Sequence, residues 1–194
     1  MELTNGVISL IPVTSPEFPG FAEVKLLYYR AFQPDERREV SDLVAQLEKP
    51  DFKLLIIQMY EMPAGLIALW QLNNFMFIEH IAVTEQFRNR KIGETALKMI
   101  ADSLEQPVLL ETVFPTENIS ESRLAFYERI GFDIIDNDYE QPAYSPEKNS
   151  KKMLLLSNRA IMPDPIEKIV TEIHKVVYAQ WTLQAHLDYS ADFG

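Results

Sequence analysis

Between Phe77 and Leu97 the chain passes from an apolar run, Phe77-Ile78-Glu79-His80-Ile81-Ala82-Val83, through a basic turn, Arg88-Asn89-Arg90-Lys91, into a stretch with helical periodicity. A strand that feeds directly into a helix points to a mixed α/β sheet covered by helices. Backbone N–H groups at the start of a helix have no intrahelical partner and lie at the positive end of the macrodipole, so they offer a phosphate several donors at once. Arg88, Arg90 and Lys91 add cations to the same turn. The turn therefore reads as an anion cradle suited to a pyrophosphate, directly beyond a strand that carries the ionisable Glu79. An acid or base beside a phosphate grip points to an enzyme.

The remaining elements surround this unit. A first strand is expected over Gly6–Pro12, followed by helices on the spacings Phe21, Val24, Tyr28, Phe32 and Val40, Leu43, Val44, Leu47. Phe52–Tyr60 and Gly65–Leu72 read as a hairpin about Met62-Pro63-Ala64, and Asn73-Asn74 turns the chain into the strand Phe75–Val83. A helix from about Lys91 buries Ile92, Ala96, Met99, Ile100 and Leu104, and a strand follows over Val108–Phe114. Asn118 and Glu121 form a capping-box pattern for a helix that ends at Gly131-Phe132. Phe132–Ile135 and Met153–Leu156 read as late strands. Asp164, Pro165 and Glu167 open a last helix with Ile166, Ile169, Val170, Ile173 and Val177 on one face, whose expected role is packing.

Two segments resemble motifs of the GCN5-related N-acetyltransferase (GNAT) family. The family's acyl-CoA-binding motif runs Arg or Gln, two residues, Gly, one residue, then Gly or Ala; Arg88 matches its first position and Gly93 its last, with Lys91 where the middle glycine stands. Downstream, Tyr127, Gly131 and Phe132 fall at the family's spacing for a second element. The resemblance covers Gly6 to Leu156 and implies an acyl-CoA N-acyltransferase fold. In that fold a mixed, mostly antiparallel sheet of about six to seven strands has helices on both faces, and two central parallel strands splay to admit the pantetheine arm. Those strands would be Phe75–Val83 and Val108–Phe114. Residues 1–160 would form this domain, with 161–194 as a helix and tail packed on or appended to it.

The resemblance further implies acetyl-CoA as acetyl donor, held by Ile81, Ala82, Val83, Arg88, Asn89, Arg90, Lys91, Ile92, Gly93 and Glu94, with a backbone N–H near Ala82 or Val83 polarising the thioester. Glu79 would accept a proton from a primary amine through water, and Tyr127 would protonate the departing thiolate. Strict alternation places Glu79 on the side of Ile81 and Val83 and His80 on the opposite side, where a packed histidine is expected. Apolar neighbours should raise the pKa of Glu79 toward the range of a general base. The competing readings are a solvated strand-edge glutamate, a tyrosine that fills core and a solvated basic turn. Glu111 could face the acceptor amine or simply be solvated. Acceptor pockets in the family are built from the region corresponding to residues 21–48 and from the late loop around Tyr144. The alternative function is a non-catalytic acyl-CoA-binding regulatory or interaction module.

Composition narrows the classes. The 194 residues contain no cysteine, which removes thiolate nucleophiles and disulfides, and three dispersed histidines give no metal-site pattern. A net charge of -11 opposes nucleic-acid binding and favours amines, while a Debye length of about 8 Å lets the basic turn set its own local potential. No apolar run reaches the ~18 residues of a membrane span, and the start of the chain lacks a signal-peptide pattern, so a cytoplasmic location without membrane contact is expected. The expected partner is a small-molecule or peptide amine; the oligomeric state is left open, a homodimer being compatible.

Overall fold

The computed structural model describes residues 2–115, 118–161 and 165–178. The strands are β1 (Leu3–Thr4), β2 (Ile8–Val13), β3 (Phe52–Met59), β4 (Met62–Gln71), β5 (Met76–Val83), β6 (Val108–Val113), β7 (Asp133–Asp136), β8 (Glu140–Gln141) and β9 (Lys151–Ser157). The helices are α1 (Phe21–Ala31), α2 (Val40–Gln46), α3 (Ile92–Asp102), α4 (Asn118–Arg129) and α5 (Ile166–Ile173), the last continued by a π-helical turn, His174–Tyr178. The sheet runs β1-β2-β3-β4-β5-β6-β9-β7, with β8 paired to β9. β5 and β6 are parallel and the other pairings antiparallel. The expected mixed, mostly antiparallel sheet is thus observed.

Apolar side chains divide between the two faces of the sheet. On one, α1, α2 and α5 bury Val24, Tyr28, Leu43, Ile169 and Ile173 against Leu54, Trp70 and Phe77. On the other, Ile92, Ala96, Leu97 and Ile100 of α3 and Tyr127 of α4 pack on Leu10, Ile67, Ile78 and Leu110. The expected turn between β3 and β4 moves two residues toward the N-terminus. Tyr60 and Glu61 both take positive φ, 50° and 65°, as a two-residue hairpin turn with matching twist requires, and Met62-Pro63-Ala64 belongs to β4.

The feature that makes a site is the pairing of β5 with β6. It extends only from Met76, Phe77 and Ile78 to Val108, Leu109 and Leu110, although both strands continue. β6 is bonded to β9 as far as Val113, and β5 to β4 as far as Val83, so each strand is drawn toward its outer neighbour and a cleft opens between them. The side chain of Asn118, together with Asp164 and the tail from residue 179, lies outside the described residues.

Candidate active site

Alternation along β5 is interrupted at Glu79. Ala68 pairs with His80 and Leu69 with Ile78, which leaves Glu79 as a bulge residue facing no partner of its own. Consequently Glu79 and His80 both lie on the α1 face, while Ile78 and Ile81 stay on the α3 face. The expectation that Glu79 shares the side of Ile81 and Val83 is therefore corrected, while His80 lies opposite those two residues as expected: an extra residue in a strand shifts the parity of everything on one side of it.

The environment of Glu79 also departs from expectation. Its carboxylate accepts from Arg38 Nε at 2.9 Å, Trp70 Nε1 at 2.6 Å and the Tyr144 hydroxyl at 2.8 Å. Burial opposes its charge, but the Arg38 guanidinium and these donors prevail and hold its pKa below the usual carboxylate value rather than above it. Arg38 is itself buried, and its guanidinium donates to the Val177 carbonyl at the end of the C-terminal helix. Glu79 is thus a fixed anion.

Glu111, across the cleft on β6, is the carboxyl that burial raises, to about 8. It accepts from the Tyr178 hydroxyl at 2.6 Å and the Tyr139 hydroxyl at 2.7 Å, and these bonds only partly offset its desolvation. Among the described residues no cation pairs with it at salt-bridge distance. His80 is packed, as expected of it, against Tyr28 and Phe32, with ring centroids 4.9 and 4.4 Å away. Its Nε2 lies 2.7 Å from the Glu36 carbonyl, which can only accept, so Nε2 carries the proton. Nδ1 is then a buried acceptor with no hydrogen-bond donor. Burial holds the imidazole neutral.

The cleft between β5 and β6 has a volume of about 530 Å3 and is lined by Glu79, His80, Glu111, Thr112 and Tyr127 among others. A second, of about 480 Å3, adjoins it and shares Ile81, Ala82, Val83, Arg88, Asn89, Arg123, Phe126 and Tyr127. It reaches Lys91, Ile92, Gly93 and Glu94 at the start of α3. There Lys91 occupies the left-handed region (φ 58°, ψ 16°) that a glycine would take readily, and Asn89 has φ 61°. The first intrahelical bond is Thr95 N–H to the Lys91 carbonyl. The amides of Ile92, Gly93 and Glu94 are left without an intrahelical partner, and no side chain caps them.

All the sequence-predicted donor-site residues line this pair of clefts except Arg90, whose guanidinium lies 5.6 Å from the centroid of Phe87. Arg123 and Arg129 join them from α4, flanking Phe126 at three-residue intervals. Helical spacing could have placed them together. Tyr127 is buried, with burial raising its pKa so that it keeps its proton. Its position is fixed by the close of α4: Gly131 takes φ 91°, and the N–H of Phe132 returns to the Tyr127 carbonyl at 3.1 Å. No local signal marks Arg38, Trp70 or Tyr178 as members of the site, because each meets it only through the fold.

Comparison with known proteins agrees with this geometry. The model of the acetyltransferase (GNAT) family matches residues 19–132, more than half of the chain. The chain belongs to the GNAT family. A putative GNAT-family acetyltransferase from Bacteroides thetaiotaomicron is similar at 28% identity and a TM-score of 0.80, over 87% of this chain and 97% of that one. A GNAT acetyltransferase from Elizabethkingia anophelis, solved with acetyl-CoA bound, shares the fold at 21% identity and a TM-score of 0.55, over 80% and 100% of the two chains. Naa50 from Arabidopsis thaliana, solved with the bisubstrate analogue CoA-Ac-MVNAL, does so at 20% identity and 0.56, over 80% and 99%. No curated protein matches the chain significantly. No described helix of this GNAT protein is long and apolar enough to cross a membrane.

Proposed function

We propose that the protein is an acetyl-CoA-dependent N-acetyltransferase that transfers an acetyl group to a primary amine by direct attack. The observation that carries this reading is the parting of β5 and β6 beyond Ile78 and Leu110, which joins buried acid–base groups to the open N-terminus of α3. The residues fit the donor. Three uncapped amides and the cations Arg88, Lys91, Arg123 and Arg129 suit a pyrophosphate. The β5 backbone at Ile81, Ala82 and Val83 has no strand partner on the cleft side and can hold the pantetheine arm and polarise the thioester carbonyl. Acetyl-CoA supplies the activated acyl group.

Lys91 already holds the left-handed conformation, so the missing glycine does not dismantle the cradle. Arg90 adds charge nearby. Among the chain's own groups, Glu111 takes the proton that the attacking nitrogen releases as the C–N bond forms, because it alone of the two carboxyls has its pKa raised. Glu79 is the fixed anion near it, and the two are linked through the Tyr144 hydroxyl, which donates to Glu79 and lies 3.4 Å from the Tyr178 hydroxyl that donates to Glu111. As the C–S bond breaks, Tyr127 gives its proton to the sulfur.

Thiol release from acetyl-CoA across a panel of amines tests this reading. Turnover is expected with at least one amine, and Tyr127→Phe should lower kcat by ~10²- to 10⁴-fold with the affinity for CoA unchanged. Full kcat in Tyr127→Phe would remove the assignment of the acid; no calorimetric binding of CoA at millimolar concentration would remove the reading itself.

A further inference from the structure

Two loops frame the acceptor end of the cleft and are laced together. Residues 33–39 follow α1, and residues 137–150 lead from β7 through β8 to Lys151 at the start of β9. Gln141 Nε2 donates to the Asp35 carbonyl at 3.0 Å, and Asn149 Nδ2 to the Asp35 carboxylate at 3.1 Å. Lys148 Nζ bonds the Arg37 carbonyl and the Glu39 carboxylate, each at 2.8 Å. Lys151 pairs with Glu36. Single exposed ion pairs hold little, but here a network anchors one loop along the length of the other. Glu36 and Gln141, one from each loop, line the cleft.

Inside the seam is a half-buried carboxyl that lacks a natural partner. Among the described residues, Glu111 has phenols but no cation beside it. It lines the cleft, as does Phe32. A carboxylate drawn out of water without a counter-charge costs free energy unless a ligand supplies one. An ammonium group supplies Glu111 with donors and with that charge, and an aromatic wall favours a cation.

Building on the acetyltransferase reading, we propose that the acceptor is a small aliphatic amine that arrives protonated, such as a diamine, rather than a peptide chain: its ammonium is received by Glu111 beside Phe32, in the end of the cleft walled by the laced loops, and gives up its proton there before attack. The raised pKa of Glu111 agrees with a carboxyl awaiting a cation.

The test uses the full chain with acetyl-CoA and three probe sets: 1,4-diaminobutane and spermidine, peptides with a free N-terminus, and peptides with an internal lysine. The expected result is a kcat/KM for a diamine at least 100-fold above any peptide. In Asp35→Ala/Lys148→Ala, peptide turnover should rise while diamine KM increases. Calorimetric titration of 1,4-diaminobutane in the presence of CoA should give binding in the wild type and at least tenfold weaker binding in Glu111→Gln, with CoA affinity unchanged. A peptide turned over as well as any diamine would overturn this inference while leaving the acetyltransferase reading intact. If no amine of any class is acetylated, the reaction reading falls and titration decides alone. Diamine binding that depends on Glu111 then supports the cation site, and its absence in the wild type overturns it.

Discussion

At the scale of single residues, the pair Arg38–Glu79 holds the most consequence for stability. Both side chains are almost fully buried, 2% and 1% exposed, so each depends on the other to offset its desolvation. Removing only Arg38 leaves an uncompensated anion among Trp70, Tyr144 and Tyr28. Arg38→Met is expected to cost about 3–5 kcal/mol in urea unfolding, whereas Arg38→Met/Glu79→Gln should recover a large part of it. A loss below about 1 kcal/mol in the single variant would mean that water reaches Glu79. Glu79 is thus kept charged by its own neighbours. The same carboxylate without Arg38 would be pushed up, as the apolar pattern of β5 suggests.

At the scale of elements, the cleft depends on how tightly β4 holds β5 on its other edge. A Cβ at Gly65 would lie 2.4 Å from the Ala82 carbonyl oxygen, a backbone atom that can yield only if β5 moves. Gly65→Ala should therefore destabilise the protein by about 1–3 kcal/mol and also weaken CoA binding, because Ala82 lines both clefts. At Gly93, by contrast, a Cβ would meet Val83 at 3.5 Å, an ordinary contact. Gly93→Ala should leave denaturation midpoint and CoA affinity near wild type, and Gly93→Asp should lose affinity through charge alone. Equal CoA affinity in Gly65→Ala and wild type would show that β5 tolerates the displacement. The π-helical turn after α5 is the other decisive element. Its wider i→i+5 winding turns Val177 and Tyr178 inward together, both buried, and so delivers a carbonyl to Arg38 and a hydroxyl to Glu111.

For the whole molecule, the two carboxyls give stability opposite pH dependences. Glu111 has a folded pKa of about 8 against an ordinary 4.5, so its contribution is fully present below 4.5 and is lost as pH rises through 8. Glu79, held low, contributes above its ordinary value of 4.5 and loses that contribution as pH falls. Relative to wild type, Glu111→Gln should gain melting temperature steadily between about pH 5 and 8 and then level off, because the glutamine never has to ionise. A constant difference across that range would mean that Glu111 titrates like an exposed carboxyl.

Much of the framework is legible in the amino-acid sequence. Apolar periodicity locates the strands and helices on which the two faces are built, since burying a face requires that pattern whatever the topology. The cradle is legible because its chemistry is local: a helix start, a basic turn and Gly93 lie within a few residues. Tyr127 is legible by its place before the Gly131 cap. The facing of Glu79 is not, because a bulge adds a residue without leaving a sequence mark and reverses the parity that strict alternation assumes. Nor is its ionisation, which is set by Arg38, Trp70 and Tyr144, as many as 65 residues away in the chain. Glu111 and Tyr178 are 67 residues apart and meet only when the last helix packs on the sheet. Local sequence determined where an anion could be held; long-range packing alone decided which carboxyl is held charged and which has its pKa raised, because desolvation and counter-charge are properties of the assembled interior.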